Sequence, residues 1–246
     1  MKASCAIVIP VYRSSMDWNE RIALQRCVDV FKDRDIIIVH PEGLDLSAYT
    51  AVASKAIYLP LKASCFKSIE SYSLLLNSSY FYKQFLGYTY ILIHQLDAFV
   101  FEDQLEYWCS KGYDYIGAPW INATWIKKLK EKISWIDKCI YPVGNGGFSL
   151  RRVKKFYYGS IFLAPIVTFL WKKKWNEDFF WSSLAHRLIP GFHIPQVEEA
   201  RLFAIEEYPS IAYKNNGNKL PFGCHAWEKF EPEFWRKHIE ALGYKW

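Results

Sequence analysis

Short, uninterrupted apolar runs punctuate the first half of the chain. Cys5-Ala-Ile-Val-Ile-Pro-Val11 and Asp35-Ile-Ile-Ile-Val-His40 read as strands buried on both faces, as in the middle of a parallel sheet. Pro10 falls near the end of the first, where a missing N–H is tolerated, and Pro41 stops the second. Between them, Asp17 with Glu20 three residues later forms a capping-box start. Leu24, Cys27, Val28 and Phe31 then follow at helical spacing. Strand, loop, helix and strand in this order make a βαβ unit. Residues 56–59 form a third short strand ended by Pro60. Residues 68–76 and 79–86 read as helix, broken around Asn77-Ser78.

The pattern then changes character in Tyr90-Ile-Leu-Ile-His-Gln-Leu-Asp-Ala-Phe-Val-Phe101. Tyr90 to Ile93 is a buried strand. His94, Gln95 and Asp97 follow at its exit, and residues 98–101 resume as a second apolar run. Ligands of open α/β sheets bind outside the carboxyl ends of the strands, so polar groups placed there are poised to meet one. An ionised Asp97 only accepts hydrogen bonds, and suits a hard cation or a sugar hydroxyl. The ordinary explanation of one Asp after a strand is a turn cap.

Downstream, residues 104–111 form a short helix with Leu105, Trp108 and Cys109 facing inward, and residues 113–119 form a strand and its exit. Val143-Gly-Asn-Gly-Gly-Phe-Ser-Leu-Arg151 packs three glycines into four residues, which calls for unusual backbone angles or close approach by another group. A strand at Phe148-Ser149-Leu150 and a helix from Arg151 should follow. Residues 161–171 are apolar, contain Pro165, and precede Lys172-Lys173-Lys174. In Trp175-Asn-Glu177-Asp178-Phe-Phe-Trp181, the helical spacing of Trp181, Leu184 and Leu188 places both carboxylates near a helix N-terminus. The dipole there favours their ionised form. Leu220-Pro-Phe-Gly-Cys-His225-Ala-Trp227 sets a histidine in an aromatic, glycine-containing loop. Taken singly, each motif has an ordinary structural explanation: a hairpin turn, a capping pair, a hydrogen-bonded His.

Length and composition narrow the class. A chain of 246 residues, 51% apolar and 23% charged, suits one large α/β domain with a sizeable core. Aromatics reach 18%, enough to supply stacking platforms as well as core. The net charge of +6 favours anionic partners, such as an anionic substrate or membrane face. The densest basic stretch, Lys127-Lys128-Leu-Lys130-Glu-Lys132, has the spacing of a solvated helix face rather than of a nucleic-acid site. None of Cys5, Cys27, Cys65, Cys109, Cys139 and Cys224 forms a C-x-x-C pair, which argues against structural zinc and for free thiols of a cytoplasmic protein. No G-x-G-x-x-G and no P-loop is present, and Met1 to Ser4 run straight into a strand without the pattern of a signal peptide.

In order, the I-V-I-P-V-Y-R strand, Q-L-D-A-F, G-N-G-G-F-S-L-R, E-D-F-F-W and G-C-H-A-W together resemble an uncharacterised family of bacterial proteins grouped with glycosyltransferases of the GT-A type. The resemblance runs from Cys5 to about Trp235. It implies a single GT-A-like α/β domain with a mostly parallel central sheet flanked by helices. A Rossmann-like nucleotide-sugar-binding half (1–118) would be joined to an acceptor half (119–246). It implies donor contacts from Pro10, Val11, Tyr12, Arg13, Gln95, Asp97, Gly146 and Gly147, and a catalytic pair, Asp178 as the base with Glu177 beside it. Asp97 and His225 would hold Mn²⁺ or Mg²⁺ with the donor diphosphate. Gln95 stands where such enzymes carry the first Asp of Asp-x-Asp. One charge is missing, and metal-dependent and metal-independent readings both stay open.

The expected activity is transfer from a UDP-, GDP- or dTDP-sugar to a glycan or lipid-linked acceptor, with inversion, in surface polysaccharide assembly at the inner face of a bacterial membrane. The rival readings are a sugar nucleotidyltransferase and a non-catalytic carbohydrate-binding protein. The first would normally carry a glycine-rich loop after the first strand, and Val11-Tyr12-Arg13-Ser14 has the Arg but no glycine.

Overall fold

The computed structural model describes residues 4–120, 141–171 and 176–246. Six strands form the central sheet in the order β3-β2-β1-β4-β7-β6. They are β1 (Cys5–Pro10), β2 (Ile36–Pro41), β3 (Ile57–Leu61), β4 (Tyr90–His94), β6 (Tyr115–Gly117) and β7 (Phe148–Arg152). β1 pairs in parallel with β2 and β4, and β2 with β3, while β7 runs antiparallel between β4 and β6. The sheet is therefore mostly parallel, as expected. Alternate residues of β1 and β4 enter two different cores. Ile7, Ile9 and Leu92 pack on one face; Ala6, Val8, Ile91 and Ile93 pack on the other. Both faces are covered, which explains the unbroken apolar runs. Because β7 comes from the second half and pairs with β4 of the first, one continuous sheet crosses the 118/119 boundary.

A second sheet is built at the carboxyl end of β4. It contains β5 (Ala98–Val100), β8 (Ala204–Ile205) and β9 (Gly223–His225), in the order β5-β9-β8. Its far side packs Phe99, Phe101, Trp227 and Trp235 into a third, aromatic core.

Local chemistry sets three of the helix starts. Asp17 accepts from the Glu20 backbone N–H at 2.9 Å and Glu20 accepts from the Asp17 N–H at 3.0 Å, so the capping box starts the Trp18–Val30 helix. Ser68 caps the Ile69–Leu76 helix, and Ser78 caps Ser79–Lys83 after the break at Asn77.

Four expectations are corrected, and residues 161–171, read from the sequence only as apolar, gain an assignment. Pro60 lies inside β3 instead of ending it; β3 is an edge strand, where the missing N–H costs no ladder bond. Arg151 belongs to β7, and the following helix, Val153–Phe162, starts two residues later. His225 closes strand β9 rather than sitting in a loop. Residues 161–171 are the end of one helix and the whole of another, Ala164–Trp171. Trp181, Leu184 and Leu188 do not share a buried face: Trp181 is buried, Leu184 half-buried and Leu188 exposed. Phe180–Ala185 form a π turn, whose wider winding breaks the 3.6-residue phase. Cys139, Lys127 to Lys132 and Lys172 to Lys174 lie outside the described residues. Five free cysteines are found among the described residues, three of them buried.

Candidate active site

β1 has β2 on one side and β4 on the other, so the strand order reverses direction between β1 and β4. Doubly wound sheets bind ligands at the carboxyl ends of such a switch point. The pairing of Val8 with Ile93 brings the ends of β1 and β4 to one edge. A cavity of about 570 Å³ opens there, within the usual range for small-molecule sites. Pro10, Val11, Tyr12, Arg13, Gln95 and Asp97 all line it, together with residues not anticipated: Tyr49, Phe66, Lys67 and Tyr72. Tyr49 donates its hydroxyl to the Arg13 carbonyl at 2.8 Å and fixes the loop after β1; Arg13 pairs with Glu20. His94, expected at the strand exit, is instead the last residue of β4 and fully buried against Phe148. Burial of that imidazole lowers its pKa to about 4 and keeps it neutral.

The second sheet explains how Asp97 and His225 meet. β5 pairs Ala98 with His225, and β8 pairs Ile205 with Cys224. The residues flanking those positions, Asp97 and Glu206, therefore stand on either side of the imidazole. Asp97 Oδ1 lies 3.2 Å from His225 Nε2, Gln95 Oε1 lies 3.3 Å from the same nitrogen, and Glu206 Oε1 lies 3.0 Å from Nδ1. Burial opposes a charge on His225, but the carboxylates of Asp97 and Glu206 outweigh it and push the pKa up to about 10. For Asp97 burial pulls upward, yet the facing His225 holds its carboxyl below the ordinary value. Glu206 was not anticipated. Its signal was a carboxylate at a strand exit, the same one that marked Asp97.

The glycine loop joins this group to the Glu177-Asp178 pair. Gly144 has φ +130°, and an added Cβ would meet the Tyr115 ring at 2.6 Å. The other two glycines are required by contact. A Cβ on Gly146 would lie 2.7 Å from Glu177 Oε1 and 3.3 Å from Asp178 Cβ; one on Gly147 would lie 2.0 Å from His225 Nε2. Asn145 ties the loop down, donating from Nδ2 to Glu206 Oε2 at 2.7 Å and accepting from the Gly147 N–H at 3.0 Å. The Gly147 carbonyl in turn accepts from the Gln95 N–H at 2.9 Å. Three separated motifs thus share one backbone turn.

Glu177 and Asp178 are adjacent but differ. Glu177 is buried and ion-paired at 2.9 Å to Arg151, itself fully buried. Asp178 is only partly buried. Helix-end placement suggested an ionised Asp178. Instead, burial and repulsion from Glu177 raise its pKa to about 7, although its Oδ1 accepts the Phe179 N–H at 2.7 Å. A carboxylate that gains and loses a proton near neutrality can act as a general base.

Among the described residues no group of three or more His, Cys, Asp or Glu side chains could hold a metal. Asp97 and His225 with the Gln95 amide oxygen form a smaller, mixed donor set.

Comparison with solved structures places the fold. The galactosyltransferase LgtC in complex with donor and acceptor sugar analogs matches with TM-score 0.58 at 11% identity, covering 96% of this chain and 95% of that one. Mouse xyloside xylosyltransferase 1 matches with TM-score 0.56 at 9% identity, covering 90% and 97%. A glycosyltransferase involved in the glycosylation of the major capsid of PBCV-1 matches with TM-score 0.52 at 11% identity, covering 98% of each chain. The fold is that of GT-A glycosyltransferases. No curated protein sequence matches the chain. The family model described as "Protein of unknown function (DUF5672)" matches residues 55–225.

Proposed function

We propose that this chain, which belongs to the family described as Protein of unknown function (DUF5672), is a glycosyltransferase acting on a nucleoside-diphosphate sugar and a glycan hydroxyl, with inversion. The observation that carries this reading is the loop Gly144–Gly147. It links a switch-point cavity, through Gln95, Asp97 and His225, to an Asp poised near neutral pH, on a fold shared with glycosyltransferases. Residues 1–118 supply the donor side. The nucleoside lies against Tyr12, Tyr49 and Phe66, and Arg13 and Lys67 bring positive charge to the diphosphate. Residues 119–246 supply the acceptor side. The acceptor hydroxyl gives its proton to Asp178 as its oxygen bonds to the sugar's anomeric carbon. The bond from that carbon to phosphate breaks, and the nucleoside diphosphate leaves with the electron pair.

Asp97, His225 and Gln95 would hold a divalent cation that arrives with the diphosphate once Nε2 gives up the proton that Asp97 and Glu206 favour, and the diphosphate oxygens would complete the donor set. Such an ion would neutralise charge developing on the leaving phosphate. Glu206 at Nδ1 fixes the imidazole so that Nε2 faces that position. Asp97→Asn is expected to weaken diphosphate binding at least about tenfold in Mn²⁺ and much less in EDTA. An unaltered Mn²⁺ dependence would remove Asp97 from the ion.

The reaction itself is tested by incubating the protein with UDP-, GDP- and dTDP-sugars and a glycan acceptor panel. Release of nucleoside diphosphate with a new glycoside is expected. Pyrophosphate from nucleoside triphosphate and sugar phosphate would indicate a nucleotidyltransferase. Glycan binding indifferent to nucleotides, without turnover, would indicate a carbohydrate-binding protein.

The proposed setting is assembly of a bacterial surface polysaccharide on a lipid-linked acceptor, at the inner face of the membrane. No helix among the described residues is long and apolar enough to cross a bilayer. Tyr158, Ile161 and Phe162 are 63%, 50% and 69% exposed, so the helix end before Leu163 presents apolar side chains to solvent instead of to core. With Lys172, Lys173 and Lys174 following in sequence, this supports reversible docking on an anionic surface, at about 1 kcal/mol per lysine. Wild-type protein is expected to float with anionic liposomes at low salt. A variant with all three lysines changed to Gln should float less. Equal recovery of both in the soluble fraction would reject docking.

A further inference from the structure

Arg151 is one of the largest fully buried side chains, and a guanidinium cannot shed its charge. Each of its nitrogens is engaged. Nε donates to Ser149 Oγ at 3.0 Å and Nη1 to the Tyr82 hydroxyl at 3.0 Å. Nη2 donates to Glu177 Oε1 at 2.9 Å and to the Gly146 carbonyl at 3.3 Å. The Tyr82 hydroxyl donates to the Leu76 carbonyl at 2.8 Å, so its oxygen is left to accept. The rings of Tyr115 and Phe156 flank the guanidinium at 5.4 and 5.5 Å. Removing the charge from Glu177 would leave Arg151 buried without an anion, which is strongly unfavourable. Glu177 is therefore held to β7 by this ion pair, under Gly146. Asp178, one residue on, has no such partner among the described residues.

We infer that Arg151 is a positioning residue for the proposed reaction: it ties Glu177 to β7 and anchors the helix start, leaving proton transfer to Asp178. This rests on reading Asp178 as the base. Among the described residues, the charged and titratable groups facing Asp178 are Glu177 on its own helix, Arg151 from β7, Glu206 after β8 and Tyr115 from β6. Two adjacent carboxylates are thereby given different tasks by their surroundings.

The test has two readouts. Carboxyl titration of ¹³C-aspartate-labelled protein, with the Asp178 signal assigned by its loss in Asp178→Asn, needs no substrate. Its midpoint should fall near 7 in wild type and move down by about a unit or more in Glu177→Gln, which removes the nearest anion and frees the Arg151 charge. The second readout is nucleoside diphosphate release from the UDP-, GDP- and dTDP-sugar panel. Arg151→Lys cannot satisfy four acceptors with one ammonium; kcat should fall about 10- to 100-fold with donor KM within about threefold. Tyr82→Phe removes a single contact to Arg151 and is the mild variant, should the others fail to fold. Its kcat should fall about threefold or more at unchanged KM. An unmoved Asp178 midpoint in Glu177→Gln, or unchanged kcat in folded Arg151→Lys and Tyr82→Phe, overturns the inference and leaves the ion pair structural. A fully active Asp178→Asn instead overturns the reading of Asp178 as base, whatever the ion pair does.

Discussion

Replacing Asp178 with Asn should lower kcat by about 100-fold or more while leaving nucleoside-diphosphate affinity within about threefold. The amide keeps the size of the side chain and its contact to the Phe179 N–H, but cannot take a proton. The wild-type rate should also carry the signature of this group. A base must be ionised to act, so with a pKa near 7 the rate should rise as pH increases through about 7 and level off above it. An unperturbed aspartate would have reached that plateau near pH 5. Steady-state kinetics from pH 5 to 9 measure both features. Wild-type kcat in Asp178→Asn, or a rate flat across this range, would reject inversion with Asp178 as the base.

Gly147→Ala is the second large effect expected. Its Cβ would fall 2.0, 2.2 and 2.6 Å from three atoms of the His225 ring, so the imidazole must turn away. Nδ1 is held by Glu206 and Nε2 faces Asp97, and a turn sacrifices one contact or the other. Overpacking of this kind costs about 1–3 kcal/mol, and loss of the Nε2 position should weaken diphosphate binding at least about tenfold. Gly87→Ala is the control. Nothing lies within 4 Å of its Cβ and its φ is not in the left-handed region, so stability should change by less than about 0.5 kcal/mol. Thermal unfolding and calorimetric titration compare the two variants. Equal, near-wild-type behaviour of Gly147→Ala would mean that the loop does not set the position of His225.

The buried strands and the Asp17–Glu20 capping box could be read from sequence because they depend on local periodicity and local hydrogen bonds. The glycine loop announced itself, since three glycines in four residues exceed what a turn requires. What it approaches could not be read. The contacts of Gly146 and Gly147 are with side chains about 30 and 80 residues away in sequence, brought in by the helical turn that starts at Glu177 and by β9. From sequence Arg151 reads as a helix start because a charged residue inside a sheet is exceptional; its buried partner Glu177 is 26 residues downstream. Glu206 escaped notice because β8 is only two residues long and leaves no recognisable pattern. At Asp178 the helix end favours the charge, but burial and repulsion from Glu177 dominate.

Recognition of a nucleoside diphosphate by the cavity between β1 and β4 is the claim on which the rest depends. Calorimetric titration with UDP, GDP, dTDP and CMP, each with Mn²⁺ and with EDTA, tests it directly. Saturable one-to-one binding of a nucleoside diphosphate is expected, weakened about tenfold when Lys67, which lines the cavity, is changed to Ala. Absence of binding by every nucleotide in both conditions, or binding that Lys67→Ala and Asp97→Asn leave untouched, would contradict it.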